Sequence, residues 1–343
     1  MSNLANDLRN KQLFLKQVPK GEAGPDDFEL REAPLPEPGE GEVLVESHYL
    51  GVDAALRLIM RDSKDFLFRV APGDLVRGGI AGKVVESRHP DFEPGDYVLA
   101  GIGCQSYGTA AGAELEKVDI SQAPLSAWLG GFGVSGLTAF FAIYHECKPQ
   151  PHHTVVINGA AGAVGSMAGQ FAKLAGARVI GIAGSDEKCD WLVNELGFDA
   201  AVNYKEGDLY EKLQEVAPNR IDIIFDNVGG KVLDESLRLI AMHGIVLLCG
   251  STSQYVADEM AGPSQYIWLG TMRARMQGFV VFDYAEHNAT ARQHMAEWIK
   301  SGKLKIPEEV FEGDIGDFPV AFQQLYQGGN KGKMVVKLPA AED

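Results

Sequence analysis

The feature that most limits how this chain folds is an apolar run, Thr154-Val155-Val156-Ile157-Asn158, that breaks into Gly159-Ala160-Ala161-Gly162-Ala163-Val164-Gly165 and resumes as Ser166-Met167-Ala168-Gly169-Gln170-Phe171-Ala172-Lys173-Leu174. The pattern predicts a strand, a tight glycine turn and a helix. Val164, Met167, Ala168, Phe171 and Leu174 fall on one stripe at helical spacing, and Gly176 stops the helix. Such a turn lets the backbone approach a pyrophosphate at a helix N-terminus, where unpaired N–H groups and the helix dipole favour negative charge. The expected ligand is a dinucleotide. Here Ala160 stands where the usual G-x-G-x-x-G has its first glycine, and any tight strand-to-helix connection in a parallel sheet also favours glycine.

The next strand adds weight. Arg178-Val179-Ile180-Gly181-Ile182-Ala183 ends in Gly184-Ser185, without the Asp or Glu that an NAD site places roughly twenty residues past the glycines to bind the ribose 2′-hydroxyl. Asp186 and Glu187 come slightly late. They suit the first turn of the following helix, where acids complement the dipole, with Ser185 as its N-cap. Lys188 then lies one turn in, where its ammonium can reach back to a 2′-phosphate. The expected cofactor is NADPH.

Residues up to about Trp128 read as short strands and turns, with a cluster at Pro36-Glu37-Pro38-Gly39 and strands at Val43–Glu46, Gly79–Glu86 and Pro94–Leu99. They imply an antiparallel, barrel-like domain over residues 1–128. Residues 129–305 alternate helices with near-continuous apolar strands, the mark of a doubly wound parallel sheet buried on both faces. After the two strands above come Ala200–Tyr204, Ile221–Asp226, Ile245–Cys249 and Gly278–Phe282, giving the six strands of a Rossmann sheet. The tail, 306–343, holds a last strand, Met334–Leu338, and is expected to return to the first domain.

At 343 residues, 45% hydrophobic and 23% charged, the chain is long enough for two cored domains. Its net charge of −16 argues against a nucleic-acid partner. No apolar leader or transmembrane run is seen, so a cytoplasmic location and no membrane partner are expected. Cys104, Cys147, Cys189 and Cys249 form no CxxC pair, and His145, His152 and His153 lack partners at zinc-ligand spacing, so no metal is expected.

A barrel-like first domain, a Rossmann insert and a returning tail resemble the medium-chain dehydrogenase/reductase superfamily. Five motifs narrow the resemblance to its zinc-free prostaglandin reductase and curcumin reductase branch. They are Gly159–Ser166, Gly184–Lys188, Leu196–Asp199, Phe225–Gly230 and Gly328–Lys333. The likeness runs from Glu37 onward. It implies a GroES-like first domain and a cytosolic, often homodimeric, NADPH-dependent reductase of the carbon–carbon double bond of α,β-unsaturated ketones and aldehydes. The resemblance puts Ala163, Val164, Gly165 and Ser166 at the pyrophosphate and Lys188 and Tyr204 at the 2′-phosphate. Asn227 faces the cofactor. Cys249, Gly250, Ser251, Thr252, Ser253, Gln254 and Tyr255 form the loop over the nicotinamide side. Phe279, Val280 and Val281 hold the carboxamide, and Asn330 makes a closing contact.

The chain departs from the branch at three places. Asp53-Ala54-Ala55-Leu56-Arg57 replaces a usual Asp-Pro-Tyr-Met-Arg, Cys104 replaces a Trp, and Val134-Ser135 replaces Met-Pro. The expectation is a pocket that has lost two aromatic walls. Tyr255 is the candidate catalytic residue, a hydroxyl able to orient the cofactor, to donate to the enolate oxygen that forms after hydride reaches the β-carbon, or both. An NADPH-dependent quinone reductase on the same fold and a non-catalytic NADPH-binding sensor are the alternatives.

Overall fold

The structure, a computed structural model, describes residues 9–62 and 69–339, so most of the amino-terminal stretch read for a leader lies outside the described residues. Two compact units are present: one holds the described residues up to Gly130 with Glu309–Gly329 and those from Met334 onward, the other Gly131–Glu308 with Asn330–Lys333.

In the first unit, β1 (Arg9–Leu15) pairs antiparallel with β2 (Phe28–Pro34). The long β3 (Glu42–Gly51) is the spine of a second antiparallel sheet and is followed by the short helix α1 (Ala55–Ile59). Along one edge of β3 lies β4 (Ile80–Ser87), continued by β5 (Tyr97–Ala100); β6 (Tyr107–Ala111) pairs with the first half of β3, and β7 (Glu116–Lys117) closes on β5. Val43, Val45, Leu50, Ile80, Val84 and Val98 are all buried, the inward halves of alternating strands.

The second unit opens with α2 (Val134–Phe141) and then alternates β8 (Thr154–Asn158), α3 (Ala163–Leu174), β9 (Arg178–Ala183), α4 (Asp186–Asn194), β10 (Ala200–Asn203), α5 (Leu209–Val216), β11 (Ile221–Asp226), α6 (Gly230–Leu237) and β12 (Ile240–Leu248). Short helices α7 (Thr252–Tyr255) and α8 (Ile267–Met272) precede β13 (Arg275–Gly278), and α9 (Asn288–Lys300) follows it. The strands stand in the order β10-β9-β8-β11-β12-β13, all parallel, so the chain reverses direction between β8 and β11 at the crevice where such sheets bind ligands. One face packs Phe140, Phe171, Val155 and Phe225; the other packs Val156, Ile180, Leu213 and Leu237.

The carboxyl-terminal stretch supplies β14 (Glu308–Glu312), α10 (Phe318–Tyr326) and β15 (Lys333–Lys337), the last pairing with the second half of β3. It does not return to the first unit as one piece. Asn330–Lys333 belongs to the second unit because the Gly332 N–H donates to the Ala161 carbonyl at 2.8 Å, alongside the glycine turn. The sixth strand also differs from the expected Gly278–Phe282. It is the polar Arg275–Gly278, and Val281–His287 is a 3-10 turn. Phe279 and Val281 owe their apolar character to packing against the core from outside the sheet, not to a place in it.

A buried polar cluster ties the carboxyl ends of the central strands together. The Asp226 carboxylate, on β11, accepts from Asn158 Nδ2 of β8 at 2.7 Å and from the Gly229 N–H at 3.0 Å. Burial pushes the Asp226 pKa up, and these donors oppose the shift. Asn158→Ala leaves a buried carboxylate short of one donor, and the expected cost is about 2–3 kcal/mol of stability by urea unfolding. A loss below roughly 0.5 kcal/mol would mean that the Val228 and Gly229 amides satisfy the group alone.

Candidate active site

The glycine turn folds as its spacing requires. Gly159 adopts φ +66°, and a Cβ on Gly165 would lie 2.4 Å from the Gly159 carbonyl oxygen, so only glycine lets α3 start this close to the strand end. Gly162 is the N-cap and offers no side chain to the first turn, which contains no acid. The Ala163, Val164 and Gly165 amides therefore form an anion cradle of the kind a pyrophosphate fits. Ser166 differs from them: it is fully buried, its amide donates to Gly162 and its hydroxyl to Ala163, so α3 itself uses both groups.

At the end of β9, Ser185 caps α4 by accepting from the Lys188 N–H. Both first-turn acids are engaged. Asp186 accepts from Asn203 Nδ2 at 3.0 Å, and Glu187 pairs with Lys331 at 2.6 Å, which holds its carboxyl below the usual range. Gly184 leaves space beneath Tyr204 and Lys205: a Cβ there would meet Tyr204 Cε1 at 3.2 Å and Lys205 Cε at 3.4 Å. Where an NAD site has a carboxylate, this unit gathers Tyr204, Lys205 and the first turn that carries Lys188. Sequence reasoning missed Lys205. The only signal was its place directly after Tyr204; the pairing of β9 with β10 brings it alongside Gly184.

Two loops meet at the carboxyl ends of β11 and β12. The Cys249 and Gly250 amides donate to the Asp226 carbonyl, the Thr252 amide to that of Asn227, and the Ser253 amide and hydroxyl to that of Val228. Asn227 Nδ2 in turn donates to the Asn158 carbonyl at 2.8 Å. The Tyr255 ring is buried, and its hydroxyl oxygen accepts from the Ser251 N–H at 3.2 Å. Gln254 accepts from the Ala261 amide, and a cavity of about 250 Å³ is bounded by Cys249, Gly250, Ser251, Gln254, Leu233 and Met276. Burial pushes the Cys249 thiol up to about 12, so it remains neutral. The Asn330 side chain donates to the Gly332 carbonyl at 2.7 Å and closes its own turn. Of the segment Phe279-Val280-Val281, Phe279 and Val281 pack inward and Val280 is exposed.

In the first unit the altered positions separate. Cys104 and Leu56 lie in the core, Cys104 with its thiol facing the Arg77 carbonyl, while Ala55 is exposed on α1. Residue 104 is packing, and only position 55 remains on the surface. Arg57 is buried, donating to the carbonyls of Gly21 and Pro19 at 2.7 and 2.8 Å. Among the described residues no group of three or more His, Cys, Asp or Glu side chains converges as a metal site would need.

An antiparallel unit joined in sequence to a parallel-sheet unit with a dinucleotide cradle defines a nucleotide-dependent oxidoreductase of two units. Two family models match, one described as the N-terminal domain of oxidoreductase over residues 11–118 and one as zinc-binding dehydrogenase over residues 163–301. The chain is 41% identical over 332 residues to a putative NADP-dependent oxidoreductase, YfmJ, of Bacillus subtilis, covering 96% of this chain and 97% of that one. It is 37% identical over 340 residues to a 2-alkenal reductase (NADP(+)-dependent) of Nicotiana tabacum, covering 97% and 98%. The solved structure of CurA from Vibrio vulnificus in complex with NADPH superposes with a TM-score of 0.90 at 36% identity, over 96% of this chain and all of that one. The chain belongs to the medium-chain dehydrogenase/reductase superfamily, in the branch of prostaglandin and curcumin reductases.

The strand-end cluster generates a prediction about cofactor choice. One charge-assisted contact to phosphate is worth about 1.5–3 kcal/mol, or roughly ten- to hundredfold in affinity. Lys188→Ala and Lys205→Ala are each expected to weaken NADPH and leave NADH nearly unchanged, measured by titration calorimetry. Equal affinity of the unmodified protein for both cofactors would overturn the assignment.

Proposed function

We propose that the protein is an NADPH-dependent reductase of the carbon–carbon double bond of α,β-unsaturated ketones and aldehydes. The observation that carries the reading is the 37% identity, along 97% of the chain, to the tobacco 2-alkenal reductase. The strand end without a carboxylate supports the choice of NADPH. When bound, the cofactor supplies a hydride from its nicotinamide ring.

In this reading the Ala163, Val164 and Gly165 amides and the Ser166 turn bind the pyrophosphate, and Lys188, Tyr204 and Lys205 hold the 2′-phosphate. Asn227, Cys249–Tyr255 and Asn330 fix the nicotinamide half, and Phe279, Val280 and Val281 hold its carboxamide. Reduction at the substrate's β-carbon collects negative charge on the carbonyl oxygen, and a hydrogen-bond donor fixed there before reaction stabilises it. Tyr255 takes that role. Its hydroxyl is oriented by the Ser251 N–H, and its ring is held by burial.

The proposal extends to a cytoplasmic homodimer. Among the described residues no helix is long and apolar enough to cross a membrane. Edge strand β13 and its neighbours expose Ile267 at 63% and Phe282 at 70%, an edge strand paired on one side only and flanked by apolar side chains of the kind that two copies cover by edge-to-edge contact. Light scattering should give twice the 37.1 kDa chain mass, and Phe282→Glu should shift it toward one copy.

The direct test is steady-state turnover with NADPH against a panel of enones, enals and quinones, with product analysis to locate the reduced bond. Saturated ketone or aldehyde products support the reading; turnover of quinones alone would replace it by a quinone reductase. Tyr255→Phe keeps the ring packing and removes the donor, so kcat should fall by about tenfold or more while NADPH affinity changes much less. Weaker NADPH binding with near-normal kcat would make Tyr255 a cofactor-holding residue only, and no change in either would remove it from the site.

A further inference from the structure

The helix that contains Phe141 runs directly into a π-helical turn, Ala142–Cys147. A π turn inserts a residue into the helical register and re-aims the side chains that follow. Here it directs Glu146 at edge strand β13 and the segment beyond it. Gln277 Nε2 donates to one Glu146 oxygen, Oε2, at 2.6 Å, and the Tyr284 phenol donates to the other, Oε1. Gln277 lies at the end of β13 and Tyr284 in the 3-10 turn Val281–His287, so the two residues bracket Phe279-Val280-Val281.

The bracketed segment is otherwise held from below. Phe279 and Val281 pack on the core, and the Tyr284 ring stacks on Phe141 with centroids 4.7 Å apart and planes inclined by 11°. The bond to Glu146 raises the Tyr284 pKa to about 12. Hydrogen bonds to an ionised acceptor are roughly twice as strong as neutral ones. A single carboxylate thus ties both flanks of a short backbone segment to the body of the unit.

We propose that Glu146 is a positioning residue for the nicotinamide end of the cofactor: by gripping Gln277 and Tyr284 with its two oxygens, it fixes the backbone of Phe279-Val280-Val281 in the conformation that receives the carboxamide. The proposal rests on the reading that this segment receives the carboxamide. A segment ordered in advance adds nothing to the entropy cost of binding; once released, it must be ordered when the cofactor binds. The loss then falls on the nicotinamide end alone.

Adenosine 2′,5′-bisphosphate, which carries the phosphate end and lacks the nicotinamide, separates the two ends. Glu146→Ala should raise the Kd for NADPH about tenfold and leave that for the bisphosphate within about twofold, both by calorimetry. Tyr284→Phe retains the stacked ring and guards against misfolding of the first variant; it should show the same selectivity with a loss of about three- to fivefold. Equal losses for both ligands, or none, overturn the proposal. Val281→Pro tests the underlying reading separately. Val281 opens its turn after an extended Val280 (φ −128°, ψ 126°), so the ring is accommodated while one backbone donor of the segment is lost. A selective loss in Val281→Pro without one in Glu146→Ala removes Glu146 and keeps the carboxamide assignment. If neither variant is selective, the assignment fails and the proposal with it.

Discussion

The buried carboxylate of Asp226 is the constraint on which the working edge of the second unit depends. An isolated ionised carboxyl in an apolar interior is costly, and the fold offsets that cost with Asn158 from β8 and the Val228 and Gly229 amides from its own loop. The residue's backbone carbonyl meanwhile receives the Cys249 and Gly250 amides from the end of β12. One residue therefore joins β8, β11 and the loop after β12 at the topological switch point. Asn227 and Cys249–Tyr255 are thereby anchored to the strand ends, the kind of support that keeps a loop preorganised.

Local physics explains what the sequence made legible. The glycine turn could be read because Gly159 and Gly165 fill positions that other residues cannot, one by its positive φ and the other by its contact with a carbonyl. Ser185 could be read as a cap because a hydroxyl before two acids matches the donors a helix start presents. The sixth strand was misread because its residues, Arg275-Met276-Gln277-Gly278, sit at a sheet edge. The apolar run beside them packs on the core from a 3-10 turn, and periodicity over so short a run does not separate the cases. Lys205 and Glu146 were illegible for a different reason. Each acquires its surroundings from another element, Lys205 through the β9–β10 pairing and Glu146 through a π turn that shifts helical register.

The first unit shows where a substitution against the family pattern matters. Cys104 sits in the core, and a Cβ on Gly78 would come within 3.0 Å of its sulfur, so the small thiol is matched to a close backbone approach. Ala55 stands exposed on α1, while the next residues, Leu56 and Arg57, are buried and anchor the helix through the Gly21 and Pro19 carbonyls. The scaffold of this segment is thus kept while the side chain displayed from it is reduced to a methyl.

A chain with a formal charge of −16 must still bind a polyanionic dinucleotide, and the structure shows how the conflict is met locally. Screening at physiological ionic strength confines the influence of exposed charges to about 8 Å, so the immediate neighbours of the cofactor decide the outcome and not the total. Among those neighbours the first turn of α3 carries no acid. The two acids at the start of α4 are committed elsewhere, Glu187 to Lys331 and Asp186 to Asn203. Lys331 belongs to the short Asn330–Lys333 piece that joins the second unit, so the same piece that hydrogen-bonds the glycine turn also brings a cation to Glu187. Pairing with Lys331 removes the like-charge repulsion that an unpaired Glu187 carboxylate would exert on an anion approaching the start of α4.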